Sequence, residues 1–492
     1  MISTASRNAN SGYNETMKKE ELTIFQKRKL IDDVLSRGVG EFFDPNDEFR
    51  NKLIAKAKGE YDKPIIVKFG VDPTRPDIHL GHAVCLRKLS QLQILGCKVI
   101  FLVGDYTATI GDPTGKSKAR PVLSFEEVHR NAETYLQQIG KIVDVGDLSD
   151  TERFSWITNS DWLLSVGQIP MPTGTVSATL ENGEEKVQFN SGSYPVRAAL
   201  WSLSRMQKTY LGREEIAVVA LNNLLFVLQH ITHSRLIERD MFQQRIENNE
   251  PLFMHEMLYP VFQGIDSHAL ARIYGTCDLE IGGTDQTFNM IVGRDVMSVN
   301  GQEPQSVLAF KLIEGLDGKE KMSKSLDNYI AITDEPNEMF GKTMSIPDTS
   351  IANYFELATD VPMDEIGELK EQLEDKSVNP RDLKVRLAKE IVTLYHGSEA
   401  GVAAEQYFID TFSKGQTPTE MPSVTASEGM AFTELMVLAG VATSKGEARR
   451  KIEQGGVSVN DKKIEDFSAT VSKDLDGAVV KVGKKDFFRI IL

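Results

Sequence analysis

The chain has 492 residues, of which 41% are hydrophobic and 26% charged, and its formal net charge is −15. This balance is typical of a folded protein, and the acidic total excludes a uniformly basic nucleic-acid coat protein. Three cysteines without a Cys-x-x-Cys pair predict neither a disulfide framework nor a cysteine-built zinc site. No apolar run reaches 18 residues, and the first twenty residues lack an apolar signal core, so we expect a soluble, cytoplasmic protein without a membrane segment.

The N-terminal part of the chain alternates between short apolar runs and helical patterns. Residues 63–69 form a β-branched run, apolar residues from Leu80 to Leu95 have helical spacing, and residues 98–103 are again strand-like. Two short strands on either side of a helix form a βαβ unit, which predicts a parallel sheet. Further strands are expected at 279–281 and 306–312.

In the rest of the chain, the amino-acid composition and the hydrophobic pattern change three times. Residues from 168 to about 225 contain a Gly- and Thr-rich stretch and predict an inserted hairpin or subdomain. Residues 336–412 are helical in pattern, with Asn379 and Pro380 as a helix start. Residues 413–430 contain two prolines and almost no large apolar side chains, which is typical of a linker. We therefore expect a separate small domain over 431–492.

The strongest local pattern is FGVDPTRPDIHLGH at 69–82. A strand ends, a turn with Gly and Pro follows, and His79 and His82 lie three residues apart on one face of a beginning helix. Free backbone N–H groups and the positive helix end favour a phosphate there, and Gly81 lets a flat group approach the backbone. There are two alternatives. The histidines could be hydrogen-bonded within the fold at the start of a capped helix, or they could be two ligands of a zinc ion, for which no third ligand is evident nearby in the sequence.

Two further segments combine glycine with lysine. KMSKS at 321–325 follows GLDGKE, and its lysines could fold over a polyphosphate and neutralise charge developing on it, or could form a solvated basic loop. GDPTGKS at 111–117 is not a nucleotide P-loop, because Ile110 stands where that motif needs glycine. We interpret it as a turn that presents the Asp112 carboxylate at the C-terminal end of a strand, where parallel sheets bind ligands.

Taken together, these segments resemble the class I aminoacyl-tRNA synthetases. HLGH at 79–82 is similar to the family's HIGH signature, and KMSKS at 321–325 matches its second signature letter for letter. YPVFQGID at 259–266, GGTDQ at 282–286 and DPT at 72–74 resemble the tyrosyl-tRNA synthetases of bacteria. The resemblance covers the chain apart from the N-terminal tail and the predicted insertion.

The resemblance implies a reaction in two steps. Tyrosine reacts with ATP, accompanied by Mg²⁺, to give tyrosyl-adenylate, and the tyrosine then passes to the 3′ end of tRNA(Tyr). It also implies a homodimer, and we expect no bound metal of the protein's own. Three alternatives stay open: a tryptophanyl-tRNA synthetase, a related nucleotidyltransferase that forms a small-molecule adenylate without tRNA, and an inactive paralogue that only binds RNA.

The family pattern also implies roles for individual residues. The groups that contact the reacting phosphates are Thr74, His79, His82, Lys321 and Lys324. Further contacts with ATP are implied for Asp72, Gly81, Gly283, Asp285 and Ser325. Tyrosine is expected to bind with its α-ammonium at Asp112, Tyr259 and Gln263, its phenolic hydroxyl at Asp266, and its reacting carboxylate near Gln286.

The spacing of the tyrosine-binding residues is informative by itself. Tyr259, Gln263 and Asp266 fall at i, i+4 and i+7, which places them on one face of a helix. This mixture of side chains suits an amphipathic aromatic substrate, although a surface face with one solvated aspartate would have the same spacing.

The chain departs from the pattern of many bacterial members at Lys68. Those members carry a tyrosine there that binds the substrate hydroxyl, whereas this chain resembles a second subgroup that has lysine. We therefore expect more of the hydroxyl recognition to fall on Asp266.

Residues 435–492 resemble an S4-type RNA-binding domain. From Ala431 onward the chain carries eleven Lys or Arg and nine Asp or Glu, a net charge of +2 against −15 for the whole chain. Four cations on one short helix could follow a phosphate backbone or form a solvated face: Lys445, Arg449, Arg450 and Lys451. The implied α/β fold has a Rossmann-like parallel-sheet catalytic domain (1–335), an α-helical anticodon-side domain (336–412), a linker (413–430) and a small α+β S4-like domain (431–492).

Overall fold

The computed structural model describes residues 22–113, 124–146, 152–163, 174–180, 183–189, 221–237, 240–413, 421–460, 462–464, 466–483 and 486–492. The chain divides into two compact units, one of residues 1–335 and 342–398 and one of residues 336–341 and 399–492. The four-part division suggested by the sequence stays a prediction. In the described ranges, no helix is both long and apolar enough to cross a membrane.

The first unit is built on a six-stranded sheet. Eight strands of this unit are β1 Val39–Phe43, β2 Ile65–Val71, β3 Cys97–Val103, β4 Phe154–Thr158, β5 Gly174–Leu180, β6 Gly183–Phe189, β7 Leu279–Gly283 and β8 Ser306–Phe310. The sheet order is β1-β8-β7-β2-β3-β4, with β1 antiparallel at one edge and the other five strands parallel. The predicted parallel sheet is confirmed, and its edge strands β1 and β4 were not predicted.

The central strands are buried on both faces, which is why they are continuous apolar runs in the sequence. Every residue of β3 is buried, and so are the first five residues of β2. One residue of β2 breaks the apolar run: Lys68 is charged and yet fully buried, and it lies opposite Glu280 of the neighbouring strand β7.

Helices flank this sheet. The helices before residue 336 are Ile24–Ser36, Glu48–Lys58, Leu80–Ile94, Thr107–Ile110, Phe125–Ile139, Ser160–Leu163, Leu221–Leu228, His233–Ile237, Asp240–Glu247, Met254–Tyr274 and Thr287–Val299. Met254–Tyr274, hereafter the substrate helix, packs closely on Thr287–Val299. A Cβ placed on Gly264 would lie 2.8 Å from Val296 Cγ2 and 3.2 Å from the Gly293 Cα, so only glycine permits this approach.

Three helices complete the first unit: Ile351–Ala358, Met363–Glu374 and Pro380–His396. The predicted helix start is confirmed, because Asn379 caps the last of them with its side chain and Pro380 occupies the first turn. Two buried arginines, Arg37 and Arg87, bind backbone carbonyls at the end of Ile351–Ala358 and just beyond it. Carbonyls in the last turn of a helix have no backbone partner within the helix, so the arginines stabilise that helix end.

The second unit has its own sheet and core. Its strands are β9 Ser423–Thr425, β10 Val457–Val459, β11 Lys462–Lys463, β12 Val479–Val482 and β13 Asp486–Ile491, in the order β11-β10-β12-β13-β9. Helices Phe432–Leu438 and Lys445–Glu453 pack on it, and Leu435, Ile452 and Phe488 belong to one buried cluster. Helices Pro336–Met344 and Ser398–Phe408 contain points where the chain passes from one unit to the other.

Within the predicted insertion, β5 and β6 form an antiparallel hairpin that runs from the pair Gly174–Phe189 to the pair Leu180–Gly183. Residues 164–173 and 190–220 lie outside the described part of the chain. The role of this segment therefore stays open.

Candidate active site

A cavity of about 580 Å³ opens at the carboxyl ends of β2 and β7. Ligands bind at this edge of parallel α/β sheets. The predicted site residues that line the cavity are Asp72, Thr74, His79, Gly81, His82, Asp112, Tyr259, Gln263, Asp266, Gly283, Asp285, Gln286, Lys321 and Lys324. The structure thus brings together residues that are up to 252 positions apart in the sequence. The side chain of Ser325 is outside the described part of the chain.

The loop after β2 is held from two sides. Asn131 Nδ2 donates to the Pro73 carbonyl at 2.9 Å, and Gln138 Oε1 accepts from the Ile78 N–H at 2.7 Å. On the other side, the Asp72 carboxylate accepts from Thr107 Oγ1 and from the Tyr259 hydroxyl, each at 2.8 Å. These bonds connect the loop to the helix Phe125–Ile139 and to the substrate helix, so the loop conformation is defined before any ligand arrives.

His79 and His82 cap the helix Leu80–Ile94. His79 Nδ1 accepts from the Gly81 N–H at 3.1 Å, and His82 Nδ1 accepts from the His79 N–H at 3.4 Å. The Gly81 N–H, which the sequence argument left free for a phosphate, is therefore already bonded. Burial lowers the pKa of His79 to about 3 and that of His82 well below its ordinary value. Both rings are neutral, and with Nδ1 accepting, each carries its proton on Nε2, where it can donate to an anion.

The two lysines of the 321–325 loop already have partners in the cavity. Lys321 Nζ lies 2.6 Å from Asp285 Oδ2. Lys324 Nζ donates to the Tyr135 hydroxyl at 2.7 Å and to the Arg75 carbonyl at 3.1 Å. Burial lowers the pKa of Lys324 to about 7, so that it is only partly charged near neutral pH. A bound polyphosphate would supply the negative charge that this ammonium lacks.

Side-chain amides form a connected row along one wall. Gln263 Nε2 donates to Glu280 Oε1 at 3.0 Å, and Gln286 Nε2 donates to Asp112 Oδ2 at 2.8 Å. Asn289 Nδ2 donates to the amide oxygens of both glutamines, at 3.0 Å each. Each glutamine therefore donates to a carboxylate and accepts from Asn289, which orients both amides.

Asp266 lies buried at the inner part of the cavity wall. Its carboxylate accepts from Trp162 Nε1 at 2.9 Å and from Asn159 Nδ2 at 3.3 Å. Burial raises the pKa of Asp266 to about 7, against the lowering influence of the nearby Lys68. A hydroxyl that enters beside this carboxylate would find an acceptor in a site from which water is largely excluded, where a hydrogen bond is strong.

The four predicted RNA-binding cations lie in the second unit, on the helix Lys445–Glu453. Lys445 pairs with Glu434 at 2.8 Å, Arg449 with Glu453 at 2.7 Å, and Lys451 with Glu447 at 3.0 Å. Arg450 is exposed. Surface ion pairs of this kind contribute little to the free energy of folding, so a polyanion can compete with the carboxylates for these cations.

Sequence reasoning missed several residues that line the cavity or hydrogen-bond to residues that line it. They are Tyr135, Asn159, Trp162, Glu280 and Asn289. Asn289 lies three residues after Gln286 on the same helical turn, and this spacing could have indicated it. The other residues carry no such local signal, because only tertiary packing brings them to the site. Asn159 and Trp162, for example, are more than 100 positions away from Asp266 in the sequence.

Two family models cover most of the chain. Residues 60–413 match the model described as tRNA synthetases class I (W and Y). Residues 414–490 match the model described as the tyrosine–tRNA ligase SYY-like C-terminal domain. The boundary between the two matches falls at the beginning of the predicted linker.

Individual relatives cover nearly the full length. The tyrosine–tRNA ligase of Carboxydothermus hydrogenoformans is 40% identical over 471 residues, which is 94% of this chain and 98% of the relative. That of Haemophilus influenzae is 40% identical over 458 residues, 93% of this chain and 96% of the relative. Among solved structures, a C-terminally truncated mitochondrial tyrosyl-tRNA synthetase of Aspergillus nidulans shares the fold, with a TM-score of 0.53 and 19% identity over 81% of this chain and 100% of that chain.

Proposed function

The chain belongs to the tyrosine–tRNA ligase family of class I aminoacyl-tRNA synthetases, and from this membership we propose how its own residues carry the reaction. The activity is the ATP-dependent ligation of tyrosine to tRNA. Relatives named for tyrosine at 40% identity over nearly the whole chain favour tyrosine over tryptophan, and favour a ligase over a nucleotidyltransferase without tRNA.

Tyrosine enters with its ring toward the substrate helix. Its phenolic hydroxyl donates to the Asp266 carboxylate, which Trp162 and Asn159 already orient. Its α-ammonium donates to Asp112, Tyr259 and Gln263, and its carboxylate lies near Gln286. The buried carboxylate and the row of amides support this placement, because they supply one acceptor set for each polar end of an amphipathic aromatic molecule.

ATP binds along the opposite side of the cavity as its Mg²⁺ complex. The ribose contacts Asp285 and the Gly283 backbone, and Asp72, Gly81 and Ser325 complete the nucleotide contacts. The phosphates contact Thr74 and the Nε2–H groups of His79 and His82. Asp285 must then release Lys321, which moves with Lys324 onto the pyrophosphate as charge develops there.

Adenylate formation needs no covalent enzyme intermediate. The tyrosine carboxylate attacks the α-phosphate in line with the departing pyrophosphate, so the protein contributes positioning and electrostatic stabilisation. Neutral imidazoles suit this task, because they donate hydrogen bonds without carrying a full charge into the buried site. The terminal ribose hydroxyl of tRNA then attacks the acyl carbon and releases AMP.

Delivery of tRNA is assigned to the C-terminal part. The helix Lys445–Glu453 would follow the tRNA(Tyr) backbone with its four cations, Lys445, Arg449, Arg450 and Lys451. The helical segment 336–412 would contact the anticodon side of the tRNA.

We further propose that the protein is a homodimer in the cytoplasm. The exposed Leu225 and Phe226 on the helix Leu221–Leu228 support an apolar contact between copies, since large apolar side chains side by side on a surface favour association.

The observation that carries this proposal is a single cavity that holds both phosphate-binding signatures and the buried Asp266. Exchange of pyrophosphate into ATP, measured with each of the twenty amino acids and followed by tRNA charging, tests it. Tyrosine alone should drive rapid exchange, and tyrosine should then appear on tRNA(Tyr). Exchange driven by tryptophan, or exchange without charging, would contradict the proposal.

A further inference from the structure

A buried ion pair lies beneath the tyrosine side of the cavity. Lys68 and Glu280 face each other across neighbouring parallel strands β2 and β7, which places both side chains on one face of the sheet. Their Nζ and Oε1 atoms lie 2.9 Å apart, and both side chains are almost fully buried. A buried ion pair contributes little to stability, because desolvation offsets the attraction. Its location at the cavity therefore calls for a functional reason.

Lys68 is fully engaged by protein groups. Its ammonium has three hydrogens, and three acceptors surround it: the Glu280 carboxylate, the backbone carbonyl of Gln263 at 3.0 Å and Ser267 Oγ at 2.9 Å. The last two belong to one turn of the substrate helix, the turn that carries Asp266. Lys68 thus binds this turn to the sheet and leaves no hydrogen for a substrate.

Glu280 determines which way the Gln263 amide points. Its oxygens accept from Lys68 and Gln263 on one side and from Ser267 and Gln305 on the other. An ionised carboxylate can only accept, so Gln263 must turn its NH₂ group toward Glu280. Its amide oxygen is then directed to Asn289 and the cavity, with one lone pair left after the bond from Asn289.

Lys68 is needed for this polarity. Lys68 Nζ and Gln263 Nε2 approach the same Glu280 Oε1, and because an ammonium can only donate, that oxygen must be an acceptor. Without the ammonium, a neutral group at position 280 could donate to Gln263 as well as accept from it. Gln263 could then turn together with Asn289, which donates to its amide oxygen, and the Gln263 NH₂ group would face the substrate ammonium and repel it. The pair therefore has a directional effect on Gln263 that an apolar pair of the same size would lack.

We propose that Lys68 and Glu280 form a positioning pair that makes Gln263 an acceptor toward the substrate, and that this pair selects tyrosine over analogues without an α-ammonium. The inference rests on the proposed function, since it takes Gln263 as a ligand of that ammonium. It extends the site to two residues that never touch the substrate.

The test compares L-tyrosine with 3-(4-hydroxyphenyl)propionate, which keeps the phenol and the carboxylate and lacks the ammonium. The variant is the full chain with Lys68→Met and Glu280→Gln together, which avoids a single uncompensated buried charge. Titration calorimetry measures both dissociation constants. We expect tyrosine to bind about tenfold to a hundredfold more weakly in the variant, which corresponds to one hydrogen bond to a charged group, and the analogue to bind almost as in the wild type.

A second double variant, Arg245→Met with Glu256→Gln, is the matched control. It removes another buried ion pair, of 2.9 Å, whose members do not line the cavity, and should leave the ratio of the two affinities unchanged. If tyrosine and the analogue lose affinity by the same factor in the Lys68–Glu280 variant, or if neither loses any, the proposal is wrong. A wild-type protein that binds both ligands equally would instead refute the ammonium contact at Gln263, and with it the proposed placement of tyrosine.

Discussion

His79 and Asp266 are buried and His82 and Lys324 are partly buried in one cavity, and burial shifts the pKa of each in the direction that favours its neutral form. A resting site with little net charge avoids the cost of buried, unpaired ions. Among these four groups, only Lys324 is proposed to meet an opposite charge, so the triphosphate of ATP should restore its charged form, whereas the two imidazoles donate to the phosphates in their neutral form.

Asp266→Asn should lower kcat/KM for tyrosine by about one to two orders of magnitude, because it removes a charge-assisted hydrogen bond of about 1.5–3 kcal/mol. The value for phenylalanine, which has no hydroxyl, should change little. Pyrophosphate exchange with both amino acids measures the two constants. An unchanged ratio of tyrosine to phenylalanine would mean that the hydroxyl is recognised elsewhere in the cavity.

Binding of ATP should take up a proton through Lys324. Its pKa is about 7 in the free protein, against an ordinary value of 10.5, and the triphosphate should raise it again. Above pH 7 the free lysine is neutral and the bound lysine is charged, so the affinity for ATP should fall as the pH rises from 7 toward 10. Calorimetry in buffers of different ionisation enthalpy measures the uptake. The same uptake in Lys324→Met would assign it to another group.

The substrate helix Met254–Tyr274 is the element whose position at the cavity was predicted best from the sequence. The i, i+4, i+7 spacing of Tyr259, Gln263 and Asp266 was sufficient to place all three on the face that lines the cavity. The donors around Asp266 could not be predicted, because Asn159 and Trp162 reach it only through tertiary packing. A pattern predicts the face of a helix but not its distant partners.

The strands show the same limit. Apolar runs predicted β2, β3, β7 and β8, whereas β1 and β4, which are as short as β7 and β8, were not predicted. Gly40 and Glu41 interrupt β1 and Ser155 interrupts β4, and the periodicity of such short, interrupted runs does not separate a strand from a loop. Lys68 is a further case, since a lysine inside a buried strand is explained only by Glu280 on the neighbouring strand.

Gly264→Ala should separate the substrate helix from the helix Thr287–Val299. The added methyl would lie 2.8 Å from Val296 Cγ2 and close to the backbone of Gly293. We expect a loss of about 1–3 kcal/mol in the free energy of unfolding, together with a higher KM for tyrosine. Urea denaturation and pyrophosphate exchange measure the two effects.

Gly367→Ala is the control for that substitution. Gly367 lies inside the helix Met363–Glu374 with nothing within 4 Å of its added Cβ, so alanine should stabilise the protein by up to about 1 kcal/mol. If Gly264→Ala were as stable as this control, the close approach of the two helices would not depend on glycine.

At the scale of the whole molecule, the active-site cavity and the C-terminal core belong to different parts of the chain. The cavity is lined by residues before 335, and a separate buried cluster holds residues 424–490 together. Composition predicts a linker over 413–430 and a separate domain over 431–492, whereas the second compact unit of the structure also contains residues 336–341 and begins again at 399, so the predicted bounds stay a prediction. How the two units are arranged on tRNA could not be predicted from patterns of single elements.

A chain that ends at Ser413 should therefore still form tyrosyl-adenylate and lose affinity for tRNA. We expect pyrophosphate exchange near the level of the full chain, and a higher KM for tRNA(Tyr) in charging. The dependence of that KM on salt should weaken by about one unit of logarithmic slope for each lost phosphate contact. An unchanged KM at physiological salt would exclude the C-terminal domain from RNA binding.

We propose that one cavity binds tyrosine with its hydroxyl at Asp266 and its ammonium at Gln263, beside ATP phosphates at His79 and His82. A crystal structure of the full chain with a non-hydrolysable tyrosyl-adenylate analogue tests this directly. We expect the phenolic oxygen within about 3 Å of the Asp266 carboxylate and the ammonium nitrogen within about 3 Å of Gln263 Oε1. An analogue bound with its phenol away from Asp266, or outside the cavity, would contradict it.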